Sequence, residues 1–208
     1  MATAKVKVLA FDLMGVLYGQ GHINHEYLMP FLKLKEADYP RIYQAYANYK
    51  LGKITKDKFW RLVGQKSTVE GKFLRTVKKS LDKDFLKLIK RLDPKYQFTV
   101  VTDLPESWAI ALLQINYSFT FDYSIVSAWT GTRKDKSVTD FKKLIQKMKV
   151  KGEEILFIDD LLANLKNAGK LGIKTVWWPQ DPNRPEQKVR YKPDYQIKKL
   201  SDILKIVK

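Results

Sequence analysis

Residues 6–17, Val-Lys-Val-Leu-Ala-Phe-Asp-Leu-Met-Gly-Val-Leu, constrain this chain more than any other stretch. An apolar run with β-branched members ends in a single carboxylate, Asp12, and turns at Gly15. A strand buried on both faces reads this way, and open parallel sheets place their ligand sites at the carboxyl ends of such strands. Asp12 is the only acid in the first 25 residues, which makes its position a functional signal.

The same strand signal recurs later at Gln97–Thr102, Tyr123–Val126, Glu154–Ile158 and Ile173–Trp178. Helical periods fall between these runs, over about 105–114, 138–148 and 161–171, and Gly172 reads as a helix C-cap ahead of the fifth strand. A loop rich in Pro and charge over 179–192, then Tyr195-Gln196-Ile197 and an amphipathic tail at 200–207, finish the chain. Strands alternating with helices predict an α/β fold, a doubly wound and mostly parallel sheet of five to six strands of Rossmann-like type.

Between the first two strands the pattern is helical. Tyr27, Leu28, Phe31 and Leu32 keep helical spacing, as do Ile42, Tyr43, Tyr46 and Tyr49, and then Phe59, Trp60, Leu62 and Val63. Thr55 has the chemistry of an N-cap, and Leu81, Phe85, Leu86, Ile89 and Leu92 form a further amphipathic helix stopped by Asp93-Pro94. The expected organisation is an α/β core from residues 1–17 and 93–208, with a small helical bundle, 18–92, inserted as a cap.

At 208 residues and 45% hydrophobic, the chain can bury one core and an accessory module. It has no cysteine, which excludes disulfides and thiolate metal sites. Lysines at positions 5 and 7 interrupt any signal-peptide core, and no apolar run approaches membrane-spanning length, so a soluble cytoplasmic protein without a membrane partner is expected. The net charge is +17, with 18 Lys/Arg against 8 Asp/Glu between Tyr18 and Lys95 and 21 against 14 elsewhere. A polyanionic partner or phosphorylated substrate would suit that balance. The lysines are scattered rather than stacked in one run, which disfavours nucleic acid.

Each strand end supplies a polar group: Asp12 from the first, Thr102-Asp103 from the second, Asp159-Asp160 from the fourth, with Lys134 shortly after the third. A parallel sheet brings these to one edge, where several carboxylates together call for a cation. Oxygen-only ligands suit Mg²⁺. The chemistry that fits is phosphoryl transfer, with a carboxylate attacking phosphorus while a metal, a lysine and a hydroxyl neutralise the phosphate oxygens.

In these positions the chain resembles the haloacid dehalogenase (HAD) superfamily along its whole length. Phe-Asp12-Leu-Met14-Gly15-Val-Leu is similar to the family's Asp-x-Asp-Gly-x-hydrophobic motif; Thr102 closes a strand as the second motif's Ser/Thr does; Arg133-Lys134 stands where the third places its lysine; and Phe-Ile-Asp159-Asp160 with its trailing helix looks like the fourth. The insert resembles the family's helical cap, and Gly52-Lys-Ile-Thr-x-x-x-Phe59 is similar to capped members allied with the phosphatase domain of soluble epoxide hydrolases. The resemblance implies a Mg²⁺-dependent phosphohydrolase acting on a small phosphorylated substrate through an aspartyl phosphate. Asp12 would be nucleophile and metal ligand, and the Met14 carbonyl a second ligand. Asp160 would bind the metal directly, with Asp159 acting through water or orienting Lys134. Thr102, Asp103 and Lys134 would occupy the phosphate-binding positions, Thr102 and Lys134 as catalytic groups.

The chain departs from that pattern at Met14, where phosphatases of the family carry a second aspartate as general acid and base. Methionine cannot transfer a proton, and general acid–base help is worth roughly 10²–10⁴-fold, so slow turnover is expected. Asp103 stands where asparagine is common and needs a cation, with Arg133 and Lys134 as candidates; Asp135 replaces a common proline. His22 and His25 lie in the flap, where one could stand in for the missing acid, and Trp129 is placed to wall the site. Tyr43, Tyr46 and Tyr49 read as core packing or as a stacking surface for substrate. Two other readings follow from the departures: a non-catalytic HAD-like binding protein whose basic cap holds a polyanion or protein partner, and a haloacid dehalogenase.

Overall fold

The computed structural model describes residues 5–19, 21–92, 94–115, 119–180 and 187–207. Asp93, expected to stop a helix, and residues 181–186 of the expected loop lie outside these. Six strands form one sheet: β1 (Val8–Phe11), β2 (Gln97–Thr102), β3 (Tyr123–Val126), β4 (Ile155–Asp159), β5 (Lys174–Trp177) and β6 (Tyr195–Gln196). Their spatial order is β3-β2-β1-β4-β5-β6 and every pairing is parallel. The order reverses at β1, between β2 and β4, which is the switch point where a crevice opens beyond the carboxyl ends.

Strand residues alternate between two cores, as a period of two requires. Leu9 and Phe11 of β1, Val100 of β2, and Leu156 and Ile158 of β4 face one core; Val8, Ala10, Val101, Ile155 and Phe157 face the other. The second core is closed by Phe141 and Leu144 of α8 (Thr139–Met148) and by Leu165 and Ala168 of α9 (Leu162–Gly169). The first takes α5 (Lys83–Arg91), α6 (Glu106–Leu113), the C-terminal α10 (Ile203–Ile206) and the insert. A short helix not anticipated from sequence, α7 (Ser127–Thr130), follows β3 directly and ends at Gly131, whose φ of 69° is left-handed.

The insert comprises a π-helical turn (Asn24–Leu28) running into α1 (Met29–Leu32), then α2 (Tyr39–Tyr49), α3 (Lys56–Leu62) and α4 (Glu70–Lys78). Thr55 caps α3 by accepting from the Lys58 amide at 3.3 Å. Tyr18 marks both joints with the core, since it bridges Met14 on one side and Leu81 on the other. Helix α5 packs away from the insert: Phe85 meets Phe11 of β1 edge-on at 5.5 Å, and the helix lies against the C-terminal turn at Leu200–Asp202.

Insert and core share a buried polar anchor. The Glu70 carboxylate of α4 accepts from Trp60 Nε1 at 2.7 Å, from Trp108 Nε1 at 2.9 Å and from the Tyr49 hydroxyl at 3.1 Å. Trp108 belongs to the core helix α6, yet its ring packs against Tyr46, Tyr49, Phe59 and Phe73 of the insert. A core tryptophan thus sits at the centre of the insert's aromatic cluster, hydrogen-bonded to the insert's own buried acid.

Candidate active site

Register determines which side chains meet. Phe11 pairs with Val100 on one side and Ile158 on the other. One residue further, the Asp12 amide donates to the Ile158 carbonyl at 3.0 Å, bringing Asp12 level with Asp159. The backbone then turns at Gly15, whose φ is +80° and where an added Cβ would lie 2.6 Å from Asp160 Cγ. Glycine is required there twice over, for the left-handed backbone and for the approach of Asp160.

Asp12, Asp159 and Asp160 are all buried, and each offers an oxygen within 4.8 Å of the other two. Opposed ligands of a Mg²⁺ ion with bonds of about 2.1 Å are about 4.2 Å apart, so this all-oxygen donor set fits such a cation with small adjustments. The Asp160 carbonyl is held by Trp177 Nε1 at 3.0 Å and Gln187 Nε2 at 2.6 Å. On the flap side, Gln180 Nε2 donates to the Gly15 carbonyl at 3.0 Å.

Lys134 is fully buried with its ammonium 2.7 Å from Asp12 Oδ2 and 2.7 Å from Asp159 Oδ2. Burial alone would lower its pKa, but the Asp12, Asp159 and Asp103 carboxylates outweigh that and hold it above the usual lysine range. Burial pushes Asp159 up to about 6, with the Lys134 ammonium opposing and the Asp12 charge adding. Asp159 is oriented by further donors: the Leu161 amide at 2.8 Å and Asn164 Nδ2 at 3.0 Å from both oxygens. Asn167 Nδ2 fixes the Lys134 carbonyl at 2.8 Å.

These groups open on a cavity of about 160 Å³. Asp12, Met14, Thr102, Asp103, Lys134 and Asp160 all line it, and Asp159 lies behind Lys134. The structure therefore brings the strand-end residues Asp12, Thr102, Asp103, Asp159 and Asp160 together with Met14 and Lys134. Met14 leaves the position beside Asp12 without a proton donor. Asn24 and Asn164, both buried, line the cavity with Oδ1 atoms that accept no hydrogen bond among the described residues.

Several secondary expectations are corrected. Arg133 lines the cavity but is taken by Asp135, through Nε at 2.8 Å and Nη2 at 2.9 Å, and does not partner Asp103. Asp103 instead accepts from the Lys134 amide at 3.3 Å. Burial raises its pKa, while the charges of Lys134 and Lys50 pull it back. His25 is exposed beside Glu36, at 3.1 Å, and only His22 lines the cavity. Trp129 does not wall the site: it is largely exposed and donates to Glu106 at 3.0 Å. The tyrosine stripe divides, because Tyr49 stacks on Phe59 in the core whereas Tyr43 and Tyr46 reach the cavity.

Sequence reasoning missed Tyr39 and Lys50. Both lie on the face of α2 and its C-terminal cap that carries Tyr43 and Tyr46, so the spacing 39, 43, 46, 50 was the available signal.

A scan of protein-family models and a search of curated proteins match nothing in this chain. Solved structures do match it. HAD-hydrolase YfnB from Bacillus subtilis, bound to magnesium, is 20% identical with a TM-score of 0.68 over 98% of this chain and 99% of that one. A HAD family enzyme from Bacteroides thetaiotaomicron, in complex with magnesium and inorganic phosphate, is 18% identical with a TM-score of 0.65 over 88% and 100%. A 2-haloacid dehalogenase from Pseudomonas syringae is 14% identical with a TM-score of 0.65 over 97% and 98%. At such identities the likeness is one of fold, and the fold is that of the HAD-superfamily hydrolases. No helix among the described residues is long and apolar enough to cross a membrane.

Proposed function

We propose that the chain is a Mg²⁺-dependent phosphohydrolase acting on a small phosphorylated substrate, with Asp12 as nucleophile. The observation that carries this reading is the buried Asp12–Asp159–Asp160 cluster opening, beside the Lys134 ammonium, on a cavity also lined by Thr102. Asp12, the Met14 carbonyl and Asp160 would hold Mg²⁺, with Asp159 orienting Lys134. When bound, the ion would neutralise charge on the transferring phosphoryl oxygens.

The chain's own residues do the rest. Leu13 donates its amide to Asp12 Oδ1 at 2.7 Å, which fixes the carboxylate, while Lys134 neutralises Oδ2. A carboxylate oxygen attacks phosphorus, the bond from phosphorus to the ester oxygen breaks, and that oxygen leaves with the electron pair. Thr102 and Lys134 stabilise the charge on the phosphoryl oxygens. Water then cleaves the aspartyl phosphate, restoring Asp12 and releasing inorganic phosphate. With Met14 beside the nucleophile, the leaving oxygen takes its proton from solvent, and both steps lack the factor of roughly 10²–10⁴ that a positioned acid–base supplies.

Phosphate release from a panel of small phosphomonoesters with Mg²⁺ tests the reading, wild type against Asp12→Asn. Release by the wild type that the variant abolishes supports it; equal background rates for both overturn it. Two other readings are kept apart by the same protein. Metal-independent halide release from 2-haloacids would identify a dehalogenase, a reading favoured by Met14 and by the fold shared with a 2-haloacid dehalogenase. Salt-dependent nucleic-acid binding without any turnover would identify a non-catalytic binder, since phosphate contacts weaken steeply with salt.

A further inference from the structure

Three cations line the cavity, and two are engaged. Arg133 is held bidentately by Asp135, and Lys134 by Asp12 and Asp159. Lys50, at the end of α2, has no carboxylate within ion-pairing distance among the described residues; its ammonium lies 5.4 Å from the centre of the Tyr46 ring.

The backbone at Lys50 is tied to the core. Ser127 Oγ, at the start of α7, donates to the Lys50 carbonyl at 2.6 Å. Two residues on, Gly52 has a φ of +68° and packs so close to the Ala128 carbonyl that an added Cβ would lie 2.7 Å from its oxygen. Lys50 is therefore presented to the cavity from a pinned position on the insert side. Burial holds its ammonium below the usual lysine range, with Asp103 opposing that shift and Arg133 adding to it. A positioned cation in a partly desolvated cavity gains most from an anion that the protein does not supply.

We infer that Lys50 is a specificity-determining residue that binds a second anionic group, such as a carboxylate, on the leaving-group side of a small phosphomonoester. The inference rests on the phosphohydrolase reading, because the phosphoryl group must occupy the Asp12 end for the second anion to reach Lys50. Tyr43 and Tyr46 line the same cavity, of about 160 Å³, and would flank the connecting atoms of a small ligand.

The test uses two non-hydrolysable probes, 3-phosphonopropionate and propylphosphonate, which differ by a terminal carboxylate against a methyl group. Their dissociation constants are measured calorimetrically with Mg²⁺ present for wild type, Lys50→Met and Lys50→Arg. The wild type should bind 3-phosphonopropionate about ten-fold or more tightly than propylphosphonate, the scale of one charged hydrogen bond. Lys50→Met should collapse that ratio, and Lys50→Arg should largely restore it. Equal affinity of the wild type for both probes overturns the inference and leaves the phosphohydrolase reading standing, and this comparison needs no variant to fold. Equal weakening of both probes by Lys50→Met also overturns it, since Lys50 would then hold the phosphoryl group itself. A wild type that binds neither probe overturns the inference, and phosphate release by wild type against Asp12→Asn then decides the phosphohydrolase reading separately.

Discussion

The Lys134 ammonium lies 2.7 Å from Oδ2 of Asp12, so the carboxylate that follows β1 is ion-paired to a buried lysine. The same nitrogen reaches Asp159, so one buried cation bridges two buried acids and offsets their mutual repulsion. Lys134→Met should leave both carboxylates uncompensated and destabilise the protein by about 3–5 kcal/mol, the cost of removing one partner from a buried pair. Urea unfolding of the metal-free protein measures this, and a change below about 1 kcal/mol would contradict the arrangement.

Magnesium should stabilise the folded state, because the carboxylate cluster exists only there. At free Mg²⁺ near 100 times its dissociation constant the gain is about 2.7 kcal/mol, roughly 5–10 °C in melting temperature for a chain of this size. The shift should vanish with a chelator and shrink strongly in Asp160→Asn. A melting curve indifferent to Mg²⁺ would count against the metal site.

Met14 lines the cavity next to Asp12 and is only partly buried, so a carboxylate placed there would remain in contact with ligand and water. Met14→Asp should raise phosphate release at least ten-fold, within the roughly 10²–10⁴-fold range of general acid–base help. Steady-state rates with and without the substitution decide the point. An unchanged rate would move the deficit to Asp103, the other departure at this edge.

Gly15→Ala should damage the site more than the fold. A left-handed backbone costs a non-glycine residue roughly 1–2 kcal/mol, and the new methyl would sit 2.6 Å from Asp160 Cγ, forcing that carboxylate aside. The melting temperature should fall by a few degrees while the Mg²⁺-dependent shift is lost. Retention of the full shift would mean that Asp160 does not need its present position.

Glu70→Ala would strip the acceptor from Trp60 and Trp108 at once, while the Tyr49 hydroxyl would keep Ser107 Oγ at 2.9 Å. At roughly 1–3 kcal/mol for each buried donor left unsatisfied, the loss should reach about 3 kcal/mol or more. Tryptophan emission should shift to the red as water enters the contact between insert and core. Urea unfolding and the emission maximum report the two effects separately.

Much of this architecture was legible from residues 6–17 and their later counterparts. Strands buried on both faces must be nearly continuous apolar runs, and β1, β2 and β3 appear where such runs occur. The polar residues that end those runs had one place to go in a parallel sheet, so the acids Asp12, Asp159 and Asp160 and the hydroxyl of Thr102 lie at one edge. The helical periods between the first two strands appear as helices α1 to α5, and Thr55 caps α3 as its chemistry implied.

Choices among equivalent partners were not legible. Nothing in the order Arg133-Lys134-Asp135 says that the arginine folds back on Asp135 while the lysine enters the core; the packing around Asn164 and Asn167 decides it. Nor does an unbroken tyrosine stripe say which rings face Phe59 and which face the cavity, since that depends on how α2 is rotated against Trp108. By itself the sequence determined the sheet, the helices between β1 and β2 and the acids at the strand ends, because periodicity and burial are local properties. Tertiary structure alone decided that Glu70 anchors the insert and that Lys50 faces the cavity with no carboxylate at ion-pairing distance among the described residues. Both depend on long-range contacts, Trp108 against the insert and Ser127 against α2, that no local pattern encodes.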